Sequence, residues 1–275
     1  YAFIICKNML KGISMTSRER VLTALNHEEP DRVPIQVDFT PEAARKLSDY
    51  LKLDDSTAES YSGKISELPI VMGHDLLVAW HGIATSYYLN EDMEEYVCEW
   101  GITWRWVEFS GGRYTDIVGR PLKDESRLDS YKCPDPAESW RYDSIRELKR
   151  THGATHAIIG GMPCTLFEAA WYLRGYDRFL MDLVINKDFA HTLLDKLYDF
   201  QLVTGTKLAE EGADMIWIGD DFGTQNSLIV SPVLWREFFK PRYASLIQAF
   251  KSIKPDVKIA YHSDGNIEAL LPEYI

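Results

Sequence analysis

Short apolar segments alternate with longer segments of helical periodicity along most of this chain. Because consecutive strand, helix and strand units build a parallel sheet with helices outside it, this alternation predicts an α/β fold. The 275 residues suffice for one barrel of roughly 250 residues. Five segments are predicted to be strands: residues 33–39, 75–80, 156–160, 215–219 and 258–262.

Three helices have clear signals in the sequence. Thr16 and Glu19 form a capping box, in which the two side chains satisfy free amides of the first turn. A second helix is predicted over 189–208, where apolar residues recur at helical spacing. A third is predicted to begin at Pro232, directly after the capping residue Ser231.

The helical signal at Thr16 also sets the expected domain boundaries. Residues 1–14 are interpreted as an appendage or upstream sequence, with a genuine N-terminal extension as the alternative. Residues 15–275 are predicted to form one barrel domain. Since a closed TIM barrel has eight strands, we expect a barrel truncated after about five strands, with about three strand and helix units absent.

An insertion over 94–136 separates the second and third predicted strands and contains three tryptophans. Residues 102–109 alternate between apolar and polar side chains and lead to Gly111 and Gly112, which is typical of a β-hairpin. Two interpretations stay open, namely an aromatic-faced hairpin packed over the barrel and an aromatic wall for a flat substrate.

Charge and cysteine usage exclude several classes of protein. The 42 acidic residues outnumber the 30 basic ones, so binding to nucleic acid or to an anionic membrane is not expected. The four cysteines lie far apart without CxxC spacing, which is typical of a reducing compartment. With no signal peptide or membrane span in the sequence, we expect a cytoplasmic protein whose partner is a small-molecule substrate.

In an α/β barrel the chemistry lies at the carboxyl ends of the strands. The predicted strand 215–219 is followed there by Asp220 and Asp221. Two such carboxylates can orient a cation, a bound hydroxyl group or a histidine, and both are candidate catalytic residues. The alternative is that one carboxylate caps a turn and the other pairs with an arginine.

The last predicted strand ends at His262, and Asp264 lies two residues further on. Residues two apart on an extended segment point the same way, which suits two ligands of one metal ion. Gly265 allows the backbone to turn sharply after them. A structural histidine hydrogen-bonded to a carboxylate is the alternative.

Glycines end the third predicted strand, where Met162 and Cys164 follow Gly160 and Gly161. Glycine permits a close approach of the backbone to a ligand, although the pattern matches no nucleotide-binding loop. Cys164 is predicted to lie near a helix N-terminus, which favours a thiolate. The alternative is a small buried side chain.

Taken together, the motifs resemble those of the uroporphyrinogen decarboxylase superfamily. The resemblance is carried, in order, by residues 15–34, 161–166, 212–223, 231–241 and 262–266. It implies a TIM barrel of the uroporphyrinogen decarboxylase type. It also implies one of two activities, cofactor-free decarboxylation of a porphyrinogen or zinc-dependent methyl transfer involving corrinoid proteins.

At the positions that characterise true decarboxylases, this chain has different residues. Their arginine-rich segment after the first strand is acidic here, with Asp38 and Glu42. Decarboxylases also have a characteristic aspartate, tyrosine and serine. By the resemblance, these positions correspond to about Gly82, Ala169 and Asp221 in this chain. A polyanionic substrate would lack its charge partners, so decarboxylation is kept as the second alternative.

This chain departs less from the pattern of the methyltransferase branch. That branch implies a zinc ion at His262, with Asp264 as the second metal ligand in the place of the family's cysteine. Asp220, Asp221 and His262 are then the catalytic candidates. The substrate-binding candidates are Trp80, His81, Met162 and Gln225.

We therefore predict a zinc-dependent enzyme that moves a methyl group between a small methylated or methoxylated substrate and a corrinoid protein. In that reading the zinc ion acts as a Lewis acid at the substrate, and the corrinoid is carried by a partner protein. A catalytically inactive binding barrel is a further alternative.

Overall fold

The computed structural model describes residues 15–53, 67–90 and 92–274. The helices in this part are α1 (Ser17–Leu25), α2 (Pro41–Leu51), α3 (Leu68–Val71), α4 (Asp143–His152), α5 (Phe167–Arg174), α6 (Tyr176–Ile185), α7 (Lys187–Glu210), α8 (Pro232–Phe238), α9 (Lys240–Ile253) and α10 (Leu271–Tyr274). The strands are β1 (Leu76–Trp80), β2 (Glu95–Val97), β3 (Thr103–Phe109), β4 (Gly112–Gly119), β5 (Ala157–Pro163), β6 (Met215–Gly219) and β7 (Lys258–His262). Short 3-10 turns lie at Ile83–Ser86, Glu125–Arg127, Ser139–Tyr142 and Glu268–Leu270.

A four-stranded parallel sheet forms the centre of the fold, with the order β1-β5-β6-β7. Its register places Gly161 beside Trp217, and Gly219 beside His262, so the carboxyl ends of β6 and β7 are level. Within the described residues the sheet is open, with β1 and β7 at its edges. The α/β class predicted from the alternating pattern is confirmed.

The predicted hairpin is also confirmed. Strands β2, β3 and β4 form a separate antiparallel sheet. The side chains of Trp104 and Ile117, opposite each other on β3 and β4, are buried. Trp100, just before β3, is buried against Phe200 of α7, with ring centroids 4.7 Å apart. The hairpin therefore packs over the helical layer, in line with the first of its two interpretations.

The strand predicted over 33–39 is wrong, because the structure assigns no strand there and the parallel sheet has four strands instead of five. The alternating residues Val33, Ile35 and Val37 are exposed. Ile35 is joined to the start of β1, since its carbonyl accepts a hydrogen bond from the amide of Asp75 at 2.8 Å. Alternation alone does not make a strand where no ladder of backbone hydrogen bonds forms.

A buried ionic cluster holds this N-terminal segment against the start of β1. The fully buried carboxylate of Asp75 accepts hydrogen bonds from Arg20 at 2.6 Å and from Arg32 at 2.6 and 2.9 Å. It also accepts one from the backbone amide of Ile35 at 2.8 Å. Helix α1, the extended segment and β1 are therefore joined at one carboxylate.

The helix predictions hold, with small shifts. The capping box is present, with the Thr16 hydroxyl 3.1 Å from the amide of Glu19. Helix α7 is longer than predicted by a few residues at its ends. The helix that starts at Pro232 is interrupted at Phe239, which separates α8 from α9. Residues 1–14, interpreted as an appendage, lie outside the described residues.

Within the described residues, the three cysteines Cys98, Cys133 and Cys164 are free thiols. No helix in that part of the chain combines the length and the apolar character needed to cross a membrane.

Candidate active site at the ends of β6 and β7

Three potential metal ligands meet at the carboxyl ends of β6 and β7. The Nε2 atom of His262 lies 3.6 Å from a carboxylate oxygen of Asp221 and 3.6 Å from one of Asp264. Together with these oxygens, the ligand atoms all lie within 4.8 Å of one another. Imidazole nitrogen and carboxylate oxygen are both donors that zinc accepts, so the three side chains fit a metal ion.

Local backbone geometry keeps these groups close together. The amide of Asp264 donates a hydrogen bond to the Oδ1 atom of Asp221 at 2.7 Å, which links the two strand ends. Gly265 has a φ of +75°, and a Cβ atom there would lie 2.4 Å from the carbonyl of Gly223. Only glycine permits this close contact of the two loops, as the sequence predicts for the turn after β7.

Solvent reaches all three side chains. About 36% of the Asp221 side chain, 42% of that of His262 and 78% of that of Asp264 is exposed. His262 also borders a cavity of about 220 Å³ on the inner side of the sheet, together with Trp217 and Ala260. The imidazole of His262 therefore faces this cavity as well as solvent.

Asp220 has a quite different position from its neighbour Asp221. Its carboxylate is fully buried and accepts hydrogen bonds from the backbone amides of Leu166, Phe167 and Glu168 at 2.9 to 3.0 Å. The hydroxyl of Tyr243 donates a further one. Burial raises the pKa of Asp220 to about 6. The prediction that Asp220 and Asp221 act together at one site is corrected here. Asp220 caps the start of α5, and of the two aspartates Asp221 belongs to the cluster.

Glu168 is a site residue that the sequence argument missed. Its Oε2 atom accepts a hydrogen bond from the backbone amide of Asp221 at 3.1 Å, and its Oε1 atom accepts one from Tyr172 at 3.3 Å. Burial, assisted by the charges of Asp220 and Asp221, raises the pKa of Glu168 to about 8. A carboxyl group with a raised pKa thus lies directly behind the cluster. The one signal for Glu168 in the sequence is its position in the first helical turn after the glycine-rich end of the strand.

Cys164 occupies the position of a small buried side chain. Its Sγ atom lies 2.8 Å from the hydroxyl of Tyr87 and 3.7 Å from that of Tyr172. Burial raises the pKa of this thiol well above its ordinary value. The interpretation of Cys164 as a thiolate stabilised by a helix N-terminus is therefore wrong, because desolvation outweighs the helix field.

The four substrate-binding candidates do not come together in one place. The ring of Trp80 lies 5.4 Å from that of Trp217, which lies 6.1 Å from the ring of His262. Met162 is fully buried, and Gln225 is exposed in the loop after β6. His81 and Trp80 border one cavity, which is different from the cavity at His262. Trp80 is the candidate tied to the cluster by the ring contacts above.

The parallel sheet with helices outside it is an α/β fold of the barrel type. The model of the family described as uroporphyrinogen decarboxylase (URO-D) matches residues 106–274, well over half of the sequence. The chain belongs to this family, whose relatives below include methyltransferases and decarboxylases.

Two relatives illustrate the two activities. A protein from Methanosarcina acetivorans named methylcobamide:CoM methyltransferase MtbA is 23% identical over 251 residues, covering 91% of this chain and 70% of its own length. A uroporphyrinogen decarboxylase from Chlorobaculum tepidum is 26% identical over 268 residues, covering 92% of this chain and 71% of its own length.

A solved structure supports the fold. The chain superimposes on a methyltransferase from Methanosarcina mazei with a TM-score of 0.65 and 18% sequence identity. The match covers 95% of this chain and 73% of that structure. This likeness confirms the barrel-type fold predicted from the sequence.

Proposed function

We propose that this protein is a methyltransferase of its family that moves a methyl group between a small methylated or methoxylated substrate and a corrinoid carried by a partner protein. The observation that carries the proposal is the cluster of Asp221, His262 and Asp264, which offers three ligands to one metal ion. Methyltransferases among the relatives and the solved structures agree with it.

These three side chains would hold zinc and leave a fourth position for the substrate, as catalytic zinc sites require. Zinc in this place supplies a Lewis acid that polarises the oxygen or sulfur atom bearing the methyl group. Because the ligands are oxygen and nitrogen atoms without a thiolate, the site favours a harder substrate atom such as a methoxyl oxygen.

The protein groups around the cluster have separate tasks. The amide of Asp264 orients the carboxylate of Asp221 through a hydrogen bond of 2.7 Å. Glu168 holds the backbone of Asp221 by accepting a hydrogen bond from its amide at 3.1 Å. Trp217 packs beside His262, with the ring centroids 6.1 Å apart.

Decarboxylation of a porphyrinogen is the weaker candidate. The described side chains around the cavity next to His262 include no arginine or lysine that could hold several carboxylates. Glu42, in the segment where decarboxylases are basic, accepts a hydrogen bond from the amide of Arg113 at 3.2 Å and so supports the hairpin. The carboxylates of such a substrate would lack cationic partners in this cavity.

The test uses zinc-loaded protein, methoxybenzene as methyl donor and free cob(I)alamin as acceptor. Methyl transfer breaks the bond between the methyl carbon and oxygen, forms methylcobalamin and releases phenol after protonation, and the absorbance spectrum follows the corrinoid. We expect methylcobalamin to accumulate. We expect Asp221→Asn to slow its formation at least tenfold, since the loss of a charged metal ligand weakens zinc binding. Asp256→Asn, at an exposed residue before the opposite end of β7 from His262, is the matched control.

Two results would contradict the proposal. The first is zinc-loaded protein that forms no methylcobalamin from methoxybenzene, methanol or a methylated thiol. The second is formation of coproporphyrinogen from uroporphyrinogen, which would favour the decarboxylase candidate.

A further inference from the structure

A second cavity lies away from the metal cluster, where the segment after β1, the start of α4 and the middle of α7 meet. It encloses about 410 Å³, within the range of about 300–1,000 Å³ that small-molecule sites occupy. It shares none of the residues that border the cavity at His262. Aromatic rings supply much of its wall: Trp80, His81, Trp140, Tyr142 and Phe200.

His81 gives this cavity a polar group with a defined role. The residue is only 5% exposed, and its ring stacks on that of Tyr142 with centroids 5.7 Å apart. Its Nδ1 atom lies 2.9 Å from the carbonyl oxygen of Ala79. Because a carbonyl can only accept, Nδ1 carries the proton of the neutral ring and Nε2 carries a lone pair.

No hydrogen bond to that lone pair is present in the described part of the chain, although the backbone carbonyls of Arg141 and Gly161 also lie close to the ring. The Nε2 atom of His81 is buried and has no hydrogen-bond partner there. Burial also lowers the pKa of His81 to about 4, so the ring stays neutral at physiological pH. A buried acceptor without a partner is uncommon in folded proteins, and a donor on a ligand would satisfy it.

The charges on the cavity wall balance one another. The guanidinium group of Arg141 pairs with both oxygens of Glu99, at 2.9 and 2.6 Å, and also reaches Glu138 at 3.2 Å. The carboxylate of Asp143 lies 3.0 Å from Arg146. Since these charges are already paired, the wall favours a neutral ligand over an ion.

We propose that this cavity binds a small neutral aromatic molecule with one hydroxyl group. The hydroxyl donates a hydrogen bond to the Nε2 atom of His81, and the ring packs among Tyr142, Phe200 and Trp80. Trp140, which is 60% exposed, closes the outer side of the ligand. The site is separate from the proposed metal cluster and does not depend on its activity.

The experiment compares phenol with toluene, which has the same size and no hydroxyl group, on the 275-residue chain. We expect calorimetric titration to give roughly threefold to tenfold tighter binding of phenol, the range of one net hydrogen bond. In protein labelled with ¹⁵N-histidine, we expect phenol to shift the Nε2 resonance of His81 upfield and toluene to leave it nearly unchanged.

Three variants complete the test. His81→Phe keeps a ring on Tyr142 and should bind phenol and toluene equally. Ser144→Trp places a large side chain at the wall and should abolish binding of both ligands. Asp221→Asn, in the metal cluster, should leave the binding of both ligands as in the wild type.

Each result bears on the proposal. Failure of phenol to bind, an unmoved Nε2 resonance at saturation, or a preference for phenol that persists in His81→Phe would overturn it. The resonance shift is measured on the wild-type chain, so the test holds even where a variant folds poorly. Loss of phenol binding in Asp221→Asn would place the ligand at the metal cluster and also overturn the proposal.

Discussion

The Oδ1 atom of Asp221 lies 3.6 Å from the Nε2 atom of His262, across the gap between the ends of two neighbouring parallel strands. The separation is too long for a strong direct hydrogen bond and is suitable for two ligands of one ion. Asp264, two residues beyond the end of β7, lies at the same distance from His262. The functional proposal depends on this arrangement.

Zinc binding should follow the chemistry of the three ligands. We expect the protein to bind about one zinc ion per chain, and His262→Ala to weaken binding by more than about tenfold, since even groups that only support metal ligands are worth about 10–100-fold. Asp264→Asn should cost less, because the amide keeps an oxygen. Titration against a chelator of known affinity measures both. If His262→Ala binds zinc as tightly as the wild type, the assignment of this metal site is wrong.

Asp220→Ala should destabilise the fold strongly. The change leaves three buried backbone amides and the hydroxyl of Tyr243 without their acceptor, for which we expect a loss of about 3–5 kcal/mol. Tyr243→Phe should cost about 1–2 kcal/mol. Urea unfolding followed by circular dichroism gives both values. Asp221→Ala is the matched control and should cost within about 1 kcal/mol, and an equal loss in the two aspartate variants would contradict the distinction drawn between them.

Asp75→Ala should release the N-terminal segment from the sheet. Arg20 is 6% exposed, and removal of its buried partner leaves a desolvated charge, so we expect a loss of about 3–5 kcal/mol. Asp31→Ala removes the more exposed partner of Arg20 and should have a much smaller effect. Hydrogen exchange should then show faster exchange in α1 for Asp75→Ala. Unchanged exchange in α1 would show that other contacts hold this helix.

Acid should destabilise the protein partly through His81. Burial lowers the pKa of His81 from 6.5 to about 4, so the folded state resists protonation that the unfolded chain accepts. The stability that comes from the neutral ring is complete above pH 6.5 and is lost as the pH falls toward 4, by up to about 3 kcal/mol.

His81→Gln has no such titration, which makes it the reference for this measurement. The difference in free energy of unfolding between the wild type and the variant should fall between pH 7 and pH 4.5. A difference that stays constant over this range would mean that His81 is protonated as easily in the folded as in the unfolded chain.

Local signals in the sequence predicted the framework of the site well. The strands that carry it were predicted at the bounds that the structure shows, since short apolar segments before a glycine or a polar turn suit a buried parallel strand. The capping box of α1 is equally local, because both of its partners lie within one turn. The strand predicted over 33–39 failed because its pairing depends on distant residues.

The sequence by itself determined the α/β class, the strands β6 and β7, and the presence of carboxylates and a histidine at their ends. It could not tell Asp220 from Asp221, since two identical neighbours offer the same local signal. Only the tertiary structure separates them, because successive side chains of an extended backbone point in opposite directions. One carboxylate therefore lies under the start of α5 and the other beside His262. Glu168 became visible for the same reason, since its burial and its bond to Asp221 join residues 53 positions apart.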